Sequence, residues 1–233
     1  MCTVSFVRVH DAVIITSNRD EHIQRENAAA PGFHQLQNKK FIFPKDARAG
    51  GTWFAAGDNG VIAVLLNGAF KKHTVTPPYR KSRGLILLEI IEADEPLGFF
   101  KTISLDNIEP FTIVLHQPGL LHELRWDGND KHEKALDIAN NYIWSSSTLY
   151  TDLFDRFIHS ADGITAATVH DFHASNNGDA ENGFVISRQT GMKTFSITQA
   201  VVQNNAVNFS HADLLQGKRY SETMLINHTA IKI

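Results

Sequence analysis

The sequence predicts an α+β fold in which antiparallel sheets are sandwiched by helices. Three observations predict it. Stretches with strand period come first, helical stretches interrupt them, and strands return in the last third. An unbroken apolar run at residues 61–66 requires burial on both faces, as at the centre of a layered fold. The first sixteen residues carry an alternating strand, a two-residue turn and a β-rich return strand. The chain has 233 residues, and with no linker, repeat or low-complexity tract it reads as one large domain over residues 1–233.

Taken in order, Val4, Phe6 and Arg8 alternate with Ser5, Val7 and Val9, His10-Asp11 forms the turn, and residues 12–16 return. Residues 22–40 carry Asn, Gln, Pro and Gly without period and read as loop. A turn at Arg48-Ala49-Gly50-Gly51 precedes a short strand at residues 52–56. Gly57-Asp58-Asn59-Gly60 turns the chain into the buried strand, which ends at Asn67-Gly68. After Pro77-Pro78, the stripe of Leu85, Leu88 and Ile91 predicts a helix over residues 79–93, and Pro96 opens a second, shorter one. Strands at residues 111–116 and 121–126 flank Pro118-Gly119. Residues 151–159 and 165–174 read as helices. Strands are expected at residues 184–187, 193–202, 206–210 and 223–226.

Composition excludes several functions. With 42% hydrophobic and 20% charged residues the chain is globular, and a formal charge of −3 argues against nucleic acid or an anionic membrane surface as partner. The apolar run is far shorter than the roughly 18 residues of a membrane span. The first residues show no secretory signal, so a cytoplasmic location is expected. A single cysteine excludes a disulfide framework and multi-cysteine metal sites. His170 and His173 lie three apart on one predicted helix, with no third ligand, so neither a metal nor a cofactor is expected. No serine-hydrolase elbow, dinucleotide fingerprint or phosphate loop is present.

The candidate chemistry is at the N-terminus. Cys2 becomes the first residue if Met1 is removed, and then carries nucleophile and base together. An ordinary thiol has a pKa of about 8.5 and an α-amine one of about 7.7–8.0. In a hairpin turning at residues 10–11, partners add to about 21, which sets Arg19 opposite Cys2 and Asp20 close by. A cation there is expected to lower the thiol pKa, and a carboxylate to orient the amine. Asn67, at the end of the buried strand, is expected to steady an oxyanion as a neutral donor. Gly50-Gly51-Thr52-Trp53 reads either as flexible backbone and a large ring at a pocket rim or, more often for such a group, as a hairpin turn with a core tryptophan.

These blocks together resemble the Transport and Golgi organisation family, also called the Asn-Arg-Asp-Glu family. The matching residues are Met1-Cys2, Ser17-Asn18-Arg19-Asp20-Glu21, Ala49-Gly50-Gly51-Thr52-Trp53, the strand ending at Asn67, and Ser82-Arg83-Gly84. Arg188 and the stretch 193–199 are similar to its late Arg and Thr-Val strand. The resemblance implies an N-terminal nucleophile hydrolase fold, a four-layer αββα sandwich of two antiparallel sheets shared with choloylglycine hydrolases and penicillin V acylases. Carried over by position, Cys2, Arg19, Asp20 and Asn67 are the implied catalytic residues, and Asn18, Trp53, Ser146 and Arg188 the implied substrate contacts. Those relatives have a second oxyanion asparagine where this chain has Trp144-Ser145-Ser146-Ser147-Thr148-Leu149. The implied activity is hydrolysis of a non-peptide carbon–nitrogen amide in a small-molecule substrate. The rival expectation is a non-catalytic protein that binds or transfers a hydrophobic ligand such as a lipid or haem.

Overall fold

The computed structural model describes residues 2–146, 150–160, 163–176 and 178–227. The fold is α+β, with two antiparallel sheets and four helices, and the chain divides into two compact units. Unit 1 is built from Met1–Asn27 and Ala139–Leu225, and unit 2 from Ala28–Ile138 and Ile226–Ile233.

Unit 1 contains β1 (Cys2–Val9), β2 (Ala12–His22), β10 (Tyr142–Ser145), α3 (Thr151–Ser160), α4 (Ala166–Ala174), β11 (Met192–Gln203), β12 (Ala206–Asp213) and β13 (Lys218–Leu225). Its sheet runs β10-β1-β2-β11-β12-β13, all antiparallel. The expected N-terminal hairpin therefore lies inside the sheet, flanked by β10 and β11. Its β1–β2 turn takes His10 to φ 51. Val7, Ile14, Phe154 and Val169 form a buried cluster with Phe157 and Phe172 against it, so α3 and α4 are held on the sheet by apolar contact. Thr165 caps α4 by accepting the Thr168 N–H, which fixes where the helix starts.

Unit 2 contains β3 (Ala29–Leu36), β4 (Lys39–Lys45), β5 (Phe54–Gly57), β6 (Ile62–Asn67), α1 (Arg83–Glu92), α2 (Pro96–Thr102), β7 (Phe111–Gln117), β8 (Leu120–Trp126) and β9 (Lys131–Leu136). Its seven strands pair in chain order, β3 to β9. β6 occupies the middle of this meander and is buried from Ile62 through Leu66, as the continuous apolar run requires.

Several sequence expectations are corrected. Residues 22–40 are not a loop: they hold β3 and the start of β4. β3 is an edge strand with Pro31 and Gly32 at a register shift, where a missing N–H costs no ladder bond. The first helix starts at Arg83 rather than residue 79, because Ser82 caps it by accepting the Leu85 N–H. Residues 184–187 form no strand, only one bridge from Ser187 to Lys193. β4, β9 and β10 have no counterpart in the expected elements.

Candidate active site

The hairpin register is the one the turn predicts. Cys2 pairs with Arg19, and Thr3 with Asn18. Side chains alternate across a strand, so Cys2 and Arg19 share one face of the sheet and Thr3 and Asn18 the other. On its far side, β2 pairs with β11, where Ser196 stands opposite Arg19 and Thr194 opposite Asp20 across a register shift. The first row of this face is thus Cys2, Arg19 and Ser196.

Main-chain contacts fix Cys2. Its N–H donates to Ser146 Oγ at 2.8 Å, and the Ser146 N–H donates to the Cys2 carbonyl at 3.1 Å. Ser146 is thereby a clamp on the main chain of Cys2, a role its residue type alone did not reveal. Cys2 is only 6% exposed, and burial pushes its thiol pKa up. Arg19 pulls the other way, but more weakly than burial pushes. The expectation that the cation would lower the thiol pKa is therefore corrected: desolvation outweighs the charge. Arg19 is itself buried, 3.7 Å from Glu21 and with its guanidinium carbon 5.8 Å from the centre of the Phe195 ring.

Asp20 is buried and accepts from Thr194 Oγ1 at 2.7 Å. Burial raises its pKa, while the Thr194 bond and the positive charge of Arg188 oppose the rise. Arg188 sits in the turn before β11. Its N–H donates to the Met192 carbonyl at 2.8 Å and its Nε to the Glu181 carbonyl at 2.7 Å.

Asn18 looks away from Cys2. Its Nδ2 donates to the carbonyls of His173 and Phe184, at 2.9 and 2.8 Å, and its Oδ1 lies 2.6 Å from His173 Nδ1. Both amide hydrogens are committed to carbonyls, so Oδ1 can only accept and Nδ1 carries the ring proton. Nε2 then accepts from Ser5 Oγ at 2.7 Å. This network ties the end of α4 to β1 and β2, and it makes Asn18 a positioning residue for the strand that carries Arg19. No group of three or more His, Cys, Asp or Glu side chains among the described residues is placed to hold a metal.

His173 is fully buried, and burial pushes its pKa down to about 3. His211, bonded to Thr198 Oγ1 at 2.8 Å, is pushed down to about 4, again chiefly by burial. A histidine with a depressed folded pKa takes up protons more readily when unfolded. Its stabilising effect is complete above the ordinary value near 6.5 and is lost as pH falls toward the folded value. The free energy of urea unfolding is expected to drop by about 2 kcal/mol between pH 7 and pH 5 on account of His173 alone. His173→Gln is expected to remove that share of the pH dependence; an unchanged slope would show that His173 does not titrate on unfolding.

Two further expected residues belong to unit 2. Asn67 ends β6 opposite Phe111, half-buried, and Gly68 follows at φ +81 with its N–H on the Pro110 carbonyl at 3.0 Å. Trp53 is buried, and its carbonyl accepts the Leu65 N–H at 2.8 Å. The Gly50-Gly51-Thr52-Trp53 and Ser82-Arg83-Gly84 blocks meet directly, the Thr52 N–H approaching the Gly84 carbonyl at 3.4 Å.

The family model described as Transport and Golgi organisation 2 matches residues 1–216. The chain belongs to that family. The Asn-Arg-Asp-Glu block of this family member is thus divided by the sheet, with Arg19 on the Cys2 face and Asn18 on the α4 face. No curated protein matches the chain in sequence. Among solved structures it is similar to a variant of the conjugated bile acid hydrolase from Clostridium perfringens, with TM-score 0.53 and 10% identity over 97% of this chain and 99% of that one. A second variant of the same enzyme gives TM-score 0.51 and 10% identity over 98% and 100%. At that identity the likeness is one of fold, and the fold of this family member is that of the N-terminal nucleophile hydrolases.

Sequence reasoning missed Ser5, Thr194 and Ser196, and read His173 only as a helix-face neighbour of His170. A signal existed for two of them: Thr194, Ser196 and Thr198 alternate with apolar residues along a strand whose polar positions are as buried as its apolar ones.

Proposed function

We propose that this protein is a cysteine amidohydrolase that cleaves a non-peptide carbon–nitrogen amide, with Cys2 as nucleophile once Met1 is removed. The observation that carries the reading is the seat of Cys2. It starts an inner strand, with Ser146 on its main-chain nitrogen and Arg19 directly opposite. In the proposed reaction the α-amine takes the thiol proton and Sγ attacks the amide carbon. The resulting ammonium returns the proton to the leaving nitrogen, which releases the amine and leaves a thioester on Cys2. Water then attacks the thioester with the α-amine as base, releasing the acid and restoring the thiol. Asp20, steadied by Thr194 and Arg188, supplies the carboxylate that orients the amine. The fold shared with a conjugated bile acid hydrolase supports an amide as substrate.

A second reading is reversible uptake of a small hydrophobic ligand without chemistry. It is favoured by the burial of Cys2, which keeps the thiol protonated. Intact-mass measurement after exposure to a mixed set of amides and esters separates the two. The amidohydrolase reading expects protein beginning at Cys2 to gain the mass of one acyl group, and Cys2→Ala to gain none. Equal adducts on both proteins would overturn it. No adduct on either, with ligand uptake indifferent to Cys2→Ser, would establish the second reading in its place.

A further inference from the structure

The six-stranded sheet carries a second site on the face opposite Cys2. α4 packs on β2 and β11, as the bonds from Asn18 to the His173 carbonyl and from Gln199 Nε2 to the Ala166 carbonyl show. The helix stops short of β12 and β13. Between its first turns and these two strands lies a cavity of about 410 Å³, within the size range of small-molecule sites. Register sets its floor. Gln199 pairs with Ser210, Ser210 with Ser221, and Ala212 with Arg219, so these residues share the α4 face. The Cys2–Arg19–Ser196 row lies on the other face.

The wall chemistry is asymmetric. Arg219 forms no ion pair, and the hydroxyls of Ser210 and Ser221 make no hydrogen bond, among the described residues. Ala166 and Ala167 bring the first turn of α4, whose dipole favours a negative group, although Thr165 already accepts the Thr168 and Val169 N–H groups. His170 is a further potential donor. The one acid on the wall, Asp171, has a side chain 82% exposed and stands 3.7 Å from His170. Ala166, Ala167 and Ala212 supply an apolar surface too small to bury a long chain.

We propose that this cavity binds a small monocarboxylate with a short apolar body. The carboxylate is held by Arg219, Ser210 and Ser221, and the hydrocarbon lies on the three alanines. A guanidinium with hydroxyls beside it matches one planar oxyanion, and the alanines give a short hydrocarbon an apolar surface that an inorganic ion cannot use. The site is independent of Cys2 and of the reaction proposed above.

The test is an amide-detected NMR titration of the whole protein with hexanoate, 1-hexanol and inorganic phosphate. Hexanoate is expected to shift the amides of residues 166–171, 210–212 and 219–221 in a saturable way. Hexanol and phosphate are each expected to bind about tenfold more weakly or less. Arg219→Gln is expected to weaken hexanoate about tenfold, and Ala167→Trp, an exposed helix position that fills the cavity, to abolish it. Cys2→Ala is expected to leave the hexanoate affinity unchanged. Shifts centred elsewhere, equal binding of hexanol, or an unchanged affinity in folded Arg219→Gln would each overturn the proposal.

Discussion

Gly51→Ala is expected to lower the free energy of unfolding by about 3 kcal/mol or more, and the melting temperature by about 6–12 °C. A Cβ added at Gly51 would stand 2.4 Å from the Gly84 carbonyl carbon, 2.6 Å from the Leu85 nitrogen and 2.8 Å from the Gly84 Cα. All three are main-chain atoms at the start of α1, and none can rotate away. The relation is mutual, since a Cβ at Gly84 would come 2.7 Å from the Thr52 carbonyl oxygen and 2.9 Å from its nitrogen. Two glycine blocks thus interlock backbone to backbone, and separating them would drag Thr52 and Trp53 with the loop. Gly51 does not need a positive φ, so its cost is one of space alone. Gly68 makes the opposite case, with φ +81 and nothing within 4 Å of an added Cβ. Gly68→Ala is therefore expected to cost only about 1 kcal/mol, the penalty of left-handed backbone. Urea unfolding of the two variants reads the contrast directly. A Gly51→Ala protein within 1 kcal/mol of its parent would show that the two blocks do not need their close approach.

The same distinction between space and pattern explains where the sequence was legible. Most strands inside the sheets announced themselves. β1, β2, β6, β7, β8 and β11 each bury most of their residues and so need apolar or alternating sequence. Of the strands that escaped, β3, β9 and β10 lie at sheet edges, while β4 lies inside its sheet and carries Lys39, Lys40, Pro44 and Lys45 among its apolar residues. An edge strand is free to carry Lys131, Glu133 and Lys134, as β9 does, or Pro31 and Gly32, as β3 does, because one side of its ladder is unpaired. β13 is the fourth edge, and only its last few residues carried a strand signal.

The site divides in the same way. Register arithmetic from one turn placed Arg19 opposite Cys2, because a hairpin leaves no freedom once its turn is fixed. What a side chain does with its polar atoms depends on the partners that long-range folding brings. Asn18 stands beside Arg19 in sequence, yet its amide serves His173 and Phe184 across the sheet's other face. Ser146 reaches the Cys2 nitrogen from 144 residues away. The sign of the Cys2 shift was illegible for a related reason. Sequence placed the cation, but the desolvation that outweighs it is set by everything packed around the thiol.

Protein that begins at Cys2 is expected to be acylated about 100-fold faster than protein that retains Met1, or more. Burial keeps the thiol protonated at neutral pH, so in the proposed reaction the thiolate is made by proton removal as the reaction proceeds. A base is therefore obligatory, and a positioned general base is worth about 10²–10⁴ in rate. With Met1 attached, the Cys2 nitrogen is an amide with no basic lone pair. Its N–H donates to Ser146 Oγ, and that bond can persist when the nitrogen becomes an amine, holding one hydrogen while the lone pair accepts the thiol proton. The added residue also occupies space that a substrate carbonyl needs to come within about 3–3.5 Å of Sγ. The acylation rate of the shortened protein is expected to rise through the amine pKa of about 7.7–8.0, or somewhat lower beside Arg19, and then level. Both forms, verified by intact mass, are compared by the growth of the acyl adduct over time and pH. Equal rates would rule out the N-terminal amine as base. A profile flat from about pH 5 to 9 in the shortened form would remove the amine while leaving Cys2 as nucleophile.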